Sequence, residues 1–278
     1  MMDELIDDMK DMKLAIFDLD GIIYRGNKLI PGVDKIIEIL RNLNIQIVFN
    51  SNNSTLTRQM YVEKLNLFNV SCSIEDIFTS AYIAAEEITE LKEKANIYVI
   101  GEKGLKEELK TKAHVIFENV KNFEEIDFVI VGLDRNFNYE KLTVAQQCIM
   151  QGQAHFYATN TDATLPDKNI ELPGAGCMVA ALEICTSQKP KKVFGKPSPN
   201  GITKILEKTN TPKDSAVIFG DRLDTDIRAG NRAEIKTVLV LTGVTSREYF
   251  DDIRNGNLSM DEECIPDLFF NSLDEIIK

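Results

Sequence analysis

Asp18 and Asp20 stand two apart in Phe17-Asp18-Leu19-Asp20-Gly21, directly after an apolar run, and Asp221, Asp224 and Asp226 follow another apolar run far along the chain. Carboxylates gathered in one crevice repel each other unless a hard cation neutralises them, and oxygen ligation with retained water is what magnesium prefers. The pattern therefore predicts a Mg²⁺ site. Lys196, in the turn-rich Gly195-Lys196-Pro197-Ser198-Pro199, can bring a fixed positive charge to the same place, and Ser51, in Asn50-Ser51-Asn52-Asn53, a hydroxyl. Carboxylates, a metal, a lysine and a hydroxyl together suit a phosphoryl group in transfer.

Each piece alone also has a purely structural reading. An Asp-x-Asp pair arises easily in a chain with 44 acidic residues. Ser51 can cap a helix, Lys196 can be a solvated lysine, and Gly220-Asp221 can be only a turn. What separates the readings is position.

Apolar runs of strand length alternate with longer segments of helical period, the pattern of parallel strands joined by crossover helices. Residues 14–17 and 45–49 read as strands, with Val33, Ile36, Ile37 and Leu40 at helical spacing between them, and residues 216–219 and 237–241 as strands near the other end. Ligands bind outside the carboxyl ends of the strands in such a sheet. Asp18, Ser51 and Asp221 all fall there. Between these parts lie further strands at 97–100, 115–117, 128–131 and 155–158 and helices near 105–110, 139–151 and 176–186, enough for a smaller inserted α/β domain with hinges near Ser80 and Lys189-Pro190.

Composition narrows the function classes. The chain has 278 residues, 44% hydrophobic and 27% charged, the profile of a globular protein of one large or two moderate domains. A formal net charge of −12 repels nucleic acid. The five cysteines are scattered without a CxxC, so neither zinc nor a disulfide framework is expected. The acidic start, MMDELIDDMKDM, lacks the features of a secretory signal, and no apolar run is long enough to span a bilayer, so a cytoplasmic protein without membrane partners is expected. That opening segment reads as a frayed or loosely helical extension. His114 and His155 lie in or beside strands with no partner motif and read as structural.

The motifs FDLDGIIYRG (17–26), NSNNS (50–54), GKPSP (195–199) and GDRLDTDIRAG (220–230) resemble those of the haloacid dehalogenase superfamily of phosphohydrolases, in its NagD and 4-nitrophenylphosphatase-like branch. GLDRNFNYEKL, ATNTDATLP and PGAGCMVAALE are similar to that branch's cap, so the resemblance spans about residues 13–244. It implies an α/β fold: a doubly wound, Rossmann-like parallel-sheet core (1–81 and 189–278) with an inserted α/β cap (82–188). It also implies Asp18 as nucleophile and Asp20 as acid and then base. Ser51, Asn52 and Asn53 would hold phosphate, and Lys196 would offset charge. Mg²⁺ would be bound by Asp18, the Asp20 carbonyl and Asp221, with Asp226 as an outer partner and Asp224 less favoured. Asn160 and Asp162 would be the cap residues facing a small phosphorylated metabolite, and a homodimer would form through the cap.

The rivals are a different enzyme on the same fold, either a dehalogenase or a phosphotransferase, and a non-enzymatic binding protein. A dehalogenase has no use for magnesium, and a phosphotransferase differs only in the acceptor that reaches the aspartyl phosphate, where Asp20 as a base favours water. A non-enzymatic binding protein would be expected to have lost part of this set.

Overall fold

The ring of Phe17 stacks on that of Phe219 at 4.7 Å and lies 6.5 Å from that of Phe49. All three are fully buried, and they pair in register across three neighbouring parallel strands, Phe17 with Phe219 on one side and with Phe49 on the other. Large cross-strand aromatics fix register, because a slip of one residue turns every side chain to the opposite face. This layer sets the level of the strand ends just beyond it, where Asp18, Asn50 and Gly220 follow. The computed structural model in which this is seen describes residues 4–167 and 170–278.

The chain divides into two compact units, one comprising the residues up to Ser51, Val62–Phe78 and Lys196–Lys278, the other Asn52–Tyr61 and Thr79–Gly195. The first holds a six-stranded sheet in the order Leu268–Phe270, Lys236–Val240, Ala216–Gly220, Leu14–Phe17, Gln46–Ser51, Ile77–Thr79. The pairings among the first five are parallel. Leu14–Phe17 and Ala216–Gly220 are buried throughout, as central parallel strands covered on both faces must be, which is why they read as unbroken apolar runs. The chain leaves the first strand toward Gln46–Ser51 and later returns on its other side with Ala216–Gly220. That reversal is the topological switch point, where an open α/β sheet opens a crevice for ligands.

The second unit is an α/β layer of its own. Its four parallel strands run in the order Val115–Phe117, Asn96–Ile100, Phe128–Val131, His155–Ala158, and its helices include Ser80–Leu91, Lys103–Thr111, Tyr139–Met150 and Ala175–Thr186. An antiparallel pair, Thr164–Asp167 with Ile170–Pro173, follows the last strand. Its core gathers Ile100, Val129, Val131, Phe156 and Leu182 among others. The stretch 52–61, which the sequence reading left with the core, groups with this unit.

Of the two readings of the acidic start the helical one fits from residue 4 onward and the frayed one does not: Asp7–Met9 form a short helical turn, Leu5 bridges Ile277, the Ile6 N–H donates to the Ile276 carbonyl, and Met9 is 1% exposed. The apolar residues spaced among its acids reach the core, which outweighs the charge the segment carries. Residues 1–3 lie outside the described residues. His114 is structural, as read: its Nδ1 accepts from the Ala95 N–H at 3.1 Å, leaving Nε2 against the Thr89 hydroxyl at 3.0 Å. Burial lowers its pKa. Among the described residues no helix is long and apolar enough to cross a membrane.

Candidate active site

Lys196 is the centre of the site in the first unit. Its side chain is 3% exposed, and its ammonium donates to Asp18 Oδ1 at 2.6 Å, to Asp226 Oδ1 at 2.5 Å and to the Asn50 carbonyl at 2.9 Å. A solvated lysine would have none of these constraints. Three acceptors from three separate segments fill the three donor directions of one ammonium.

Asp18 and Asp221 follow their strands, and the Asp226 side chain is turned back to them by the helical turn Leu223–Ile227. Oxygens of Asp18, Asp221 and Asp226 lie within 4.8 Å of one another. Asp226 is fixed on both sides, since its Oδ2 accepts the Arg222 N–H at 3.1 Å. Asp221 Oδ2 accepts the Val244 N–H at 2.6 Å. Asp224 is not part of the cluster: its side chain is 62% exposed and pairs with Arg222.

The approach to Asp221 is shaped by two glycines. Gly21 has φ +93°, a left-handed conformation that favours glycine, and a Cβ there would lie 2.4 Å from Asp221 Oδ2. A Cβ on Gly243 would lie 1.9 Å from the same oxygen. The Gly21 carbonyl accepts the Thr242 hydroxyl at 2.6 Å, which joins the loop after the first strand to the loop after Lys236–Val240.

Burial and crowding disturb these charges. The Asp18 carboxyl is pushed up to about 7, first by burial and then by Asp226 and Asp20, although Lys196 opposes the rise. Asp221 is raised well above the usual carboxylate range by burial and by Asp226 and Asp18. Burial alone would lower the Lys196 ammonium, but Asp18 and Asp226 reverse the sign and raise it. Three carboxylates sharing one lysine are short of positive charge. An all-oxygen set of this kind fits a hard divalent cation.

Asp20 is exposed at the mouth. Burial of part of its side chain raises its pKa, while the charge of Lys64, a hydrogen bond from the Gly26 N–H and the charge of Arg25 work against the rise. A carboxyl held above its ordinary value and still open to solvent can give a proton and take one back. Ser51 closes its strand and is buried one strand over from Asp18.

The remaining expected residues lie in the second unit and are joined to one another. The Asn52 amide donates to both Asp162 oxygens at 3.2 and 3.1 Å, and the Asn52 carbonyl accepts from the Ser80 hydroxyl at 2.5 Å and from the Asn160 amide at 2.8 Å. Asn53 Oδ1 accepts the Thr55 N–H at 2.8 Å in an Asx-type turn. These side chains hold the NSNNS loop and the ATNTDATLP loop together.

Sequence reasoning missed the Asn50 carbonyl, Thr242, Gly243 and the Val244 N–H. The last three follow the strand Lys236–Val240, so the strand-end rule applied to that run as well would have found them. Asn50 acts through its backbone, which no side-chain pattern reveals.

With the geometry in hand, comparison decides the family. A haloacid dehalogenase-like hydrolase model matches residues 15–113 and a HAD-hydrolase-like model residues 193–276. The chain belongs to the haloacid dehalogenase-like hydrolases. It is 34% identical to an acid sugar phosphatase of Staphylococcus saprophyticus over 97% of this chain and 98% of that one. It is 36% identical to phosphoglycolate phosphatase 2 of Arabidopsis thaliana over 95% and 91%. A p-nitrophenyl phosphatase from Archaeoglobus fulgidus superposes with a TM-score of 0.85 at 34% identity, covering 95% of this chain and 97% of that one. Within the haloacid dehalogenase-like hydrolases the chain falls in the NagD and 4-nitrophenylphosphatase-like branch, and it is a phosphoric monoester hydrolase.

The raised carboxyls of this hydrolase would make the binding of a divalent cation at this cluster proton-linked. Asp18 and Asp221 hold protons in the metal-free folded chain at pH values where free carboxyls have lost them, so the folded state binds more protons than the unfolded one. Their contribution to stability therefore falls as pH rises from the ordinary carboxylate range through about 7. A divalent cation must displace those protons. Calorimetric titration of Mg²⁺ in buffers of different ionisation enthalpy should show proton release near neutral pH, with the share from Asp18 falling away as pH rises past about 7. Heats independent of buffer would contradict the carboxylate geometry.

Proposed function

We propose that this chain hydrolyses small phosphate monoesters through a phosphorylated Asp18, with Mg²⁺ as cofactor. The observation that carries the reading is the Lys196 ammonium seated between Asp18 and Asp226, beside Asp221. Asp18 is the carboxylate at the switch point, held by a cation, and it attacks phosphorus as the bond to the leaving oxygen breaks. Asp20, two residues on and open to solvent, gives its proton to that oxygen. As a carboxylate it then takes a proton from the water that attacks the aspartyl phosphate, which releases inorganic phosphate and restores Asp18. Lys196 offsets the charge of Asp18 and of the phosphoryl group throughout. Ser51 and the amides of Asn52 and Asn53 hold phosphoryl oxygens, with Asn160 and Asp162 fixing the loop that presents them. Asp18, the Asp20 carbonyl and Asp221 would hold Mg²⁺, with Asp226 beside them, and the ion would supply the remaining positive charge.

The test is release of inorganic phosphate from a panel of small esters, among them sugar phosphates, phosphoglycolate and 4-nitrophenyl phosphate, with and without Mg²⁺. Magnesium-dependent turnover supports the reading, and its absence for every ester with folded protein would reject it. Asp20→Asn should lower kcat/KM, which covers only the step that expels the leaving group and not the later hydrolysis of the aspartyl phosphate, by about 10²–10⁴ on an alkyl phosphate, the usual worth of a positioned acid-base group. The loss should be smaller on 4-nitrophenyl phosphate, whose leaving group needs no proton. An equal loss on both esters would remove Asp20 from the acid's role.

The same reading has the enzyme in the cytoplasm and pairs two copies through the second unit. Its helices Tyr139–Met150 and Ala175–Thr186 leave Tyr139, Met150 and Ile184 exposed. Light scattering should give twice the 31.3 kDa chain mass. Ile184→Glu should return the single-chain mass, because a charge in an apolar interface is strongly unfavourable.

A further inference from the structure

The second unit contains a crevice whose lining includes none of the residues above, with a cavity volume of about 620 Å³. That is within the range of pockets that hold small metabolites. It lies where Gly101 and Glu102 follow the strand Asn96–Ile100 and where Asp134 and Arg135 come just after Phe128–Val131. These two strands are neighbours, and the chain goes from Asn96–Ile100 first to Val115–Phe117 on one side and then to Phe128–Val131 on the other. The crevice is thus at the carboxyl ends of parallel strands at a switch point, the same topological position that Asp18 occupies in the first unit.

Its lining carries one cation more than it has carboxylates, in a chain whose net charge is −12. Lys103, Lys106, Lys110, Arg135 and Lys141 face four carboxylates. All four carboxylates are already paired: Glu102 with Arg135 at 2.6 Å, Asp134 with Lys141 at 2.6 Å, Glu118 with Lys106 at 3.3 Å and Glu107 with Lys110 at 3.2 Å. The Arg135 clamp on Glu102 lowers that carboxyl's pKa and keeps it ionised. Lys103 has no ion pair among the described residues and stands at the rim, so an incoming anion meets a positive charge that no internal carboxylate cancels.

We propose that this crevice binds a small, multiply charged anion, either a phosphate compound or a polycarboxylate. Occupancy would be felt nearby. The N–H of Gly104, next to Lys103, donates to the Thr55 carbonyl at 2.9 Å, and Thr55 in turn is bonded to Asn53. A Cβ on Gly104 would lie 2.4 Å from the Leu56 carbonyl, so the helix rests directly on the loop that carries Asn53.

The experiment is amide NMR of the full chain without Mg²⁺, titrated separately with pyrophosphate and with citrate at fixed ionic strength. Saturable shifts of the Gly101, Lys103 and Arg135 amides are expected, together with Thr55, and should be lost in Lys103→Glu. Glu at the first turn of a helix is favourable, so this variant should keep its fold, and unchanged shifts elsewhere verify that. Saturation by both anions identifies charge as the recognised feature, and saturation by pyrophosphate alone identifies phosphate. Shifts confined to the neighbourhood of Asp18, Ser51 and Lys196, or shifts at the crevice that persist in Lys103→Glu, would overturn the site. Crevice shifts without movement of Thr55 would overturn the link to the loop. None of these readouts requires turnover, so the result stands apart from the phosphatase reading.

Discussion

Asp18→Asn is expected to reduce magnesium-dependent phosphate release to the background of the assay while the chain stays folded. The substitution is nearly isosteric and keeps an oxygen for the Lys196 ammonium to reach, so the 2.6 Å contact has a neutral successor. It removes the charged oxygen that would form the bond to phosphorus. No neighbour can take over. Asp226 has one oxygen on Lys196 and the other on the Arg222 N–H, and Asp221 is held by the Val244 N–H. A nucleophile's loss is not graded in the way an acid-base group's is, because without the covalent step only direct attack by water remains. Mass spectrometry of wild type quenched during turnover should find one added phosphoryl group on the peptide holding Asp18. Substantial turnover by Asp18→Asn, or a phosphoryl group on another residue, would move the nucleophile elsewhere.

Much of this site was legible in the sequence because strand ends in a parallel sheet are legible. Leu14–Phe17 and Phe128–Val131 have the bounds that their apolar runs imply, since strands buried on both faces carry no alternation to obscure them. Asp18, Ser51 and Asp221 then follow by position alone. The short edge strands Ile77–Thr79 and Leu268–Phe270 were not legible: three residues carry no periodicity, and their pairing is decided by the neighbouring strand. The helix Arg58–Leu67 was missed because its apolar residues form no clear stripe. Residues 254–264 also carry no clear pattern, yet Cys264 is fully buried against Leu223, Ile227 and Phe250. Their anchors are Arg228 to Asp261 and Arg232 to Glu263, contacts between positions about thirty residues apart that only the fold brings together.

Lys196 is the residue whose meaning changed most between sequence and structure, and Lys196→Met should have the largest effect on stability as well as a severe one on catalysis. Methionine keeps the length of the side chain and removes the cation that, among the described residues, pairs with both Asp18 and Asp226. Breaking a buried ion pair from one side typically costs about 3–5 kcal/mol, because the charge left behind has neither water nor partner. Here the carboxylates have an escape, since they can take up protons. Without Lys196 the opposition to burial at Asp18 is gone, so its carboxyl moves further up from about 7. The variant then holds more protons when folded than wild type does near neutral pH, and its stability must fall more steeply as pH rises. Thermal melting of the metal-free proteins should show a modest difference at pH 5.5 and a large one at pH 8. Mg²⁺ should restore more of the variant's loss than it adds to wild type, since the divalent charge replaces what the ammonium supplied. Turnover will not return with it: removing one preorganised charge partner of the transferring group costs about 10²–10³ in kcat, and Lys196→Arg should not rescue it, because a guanidinium fork does not fit a slot with three acceptors around one nitrogen. Equal melting of Lys196→Met and wild type at pH 8 without metal would mean that the three carboxylates do not share their charge through this lysine.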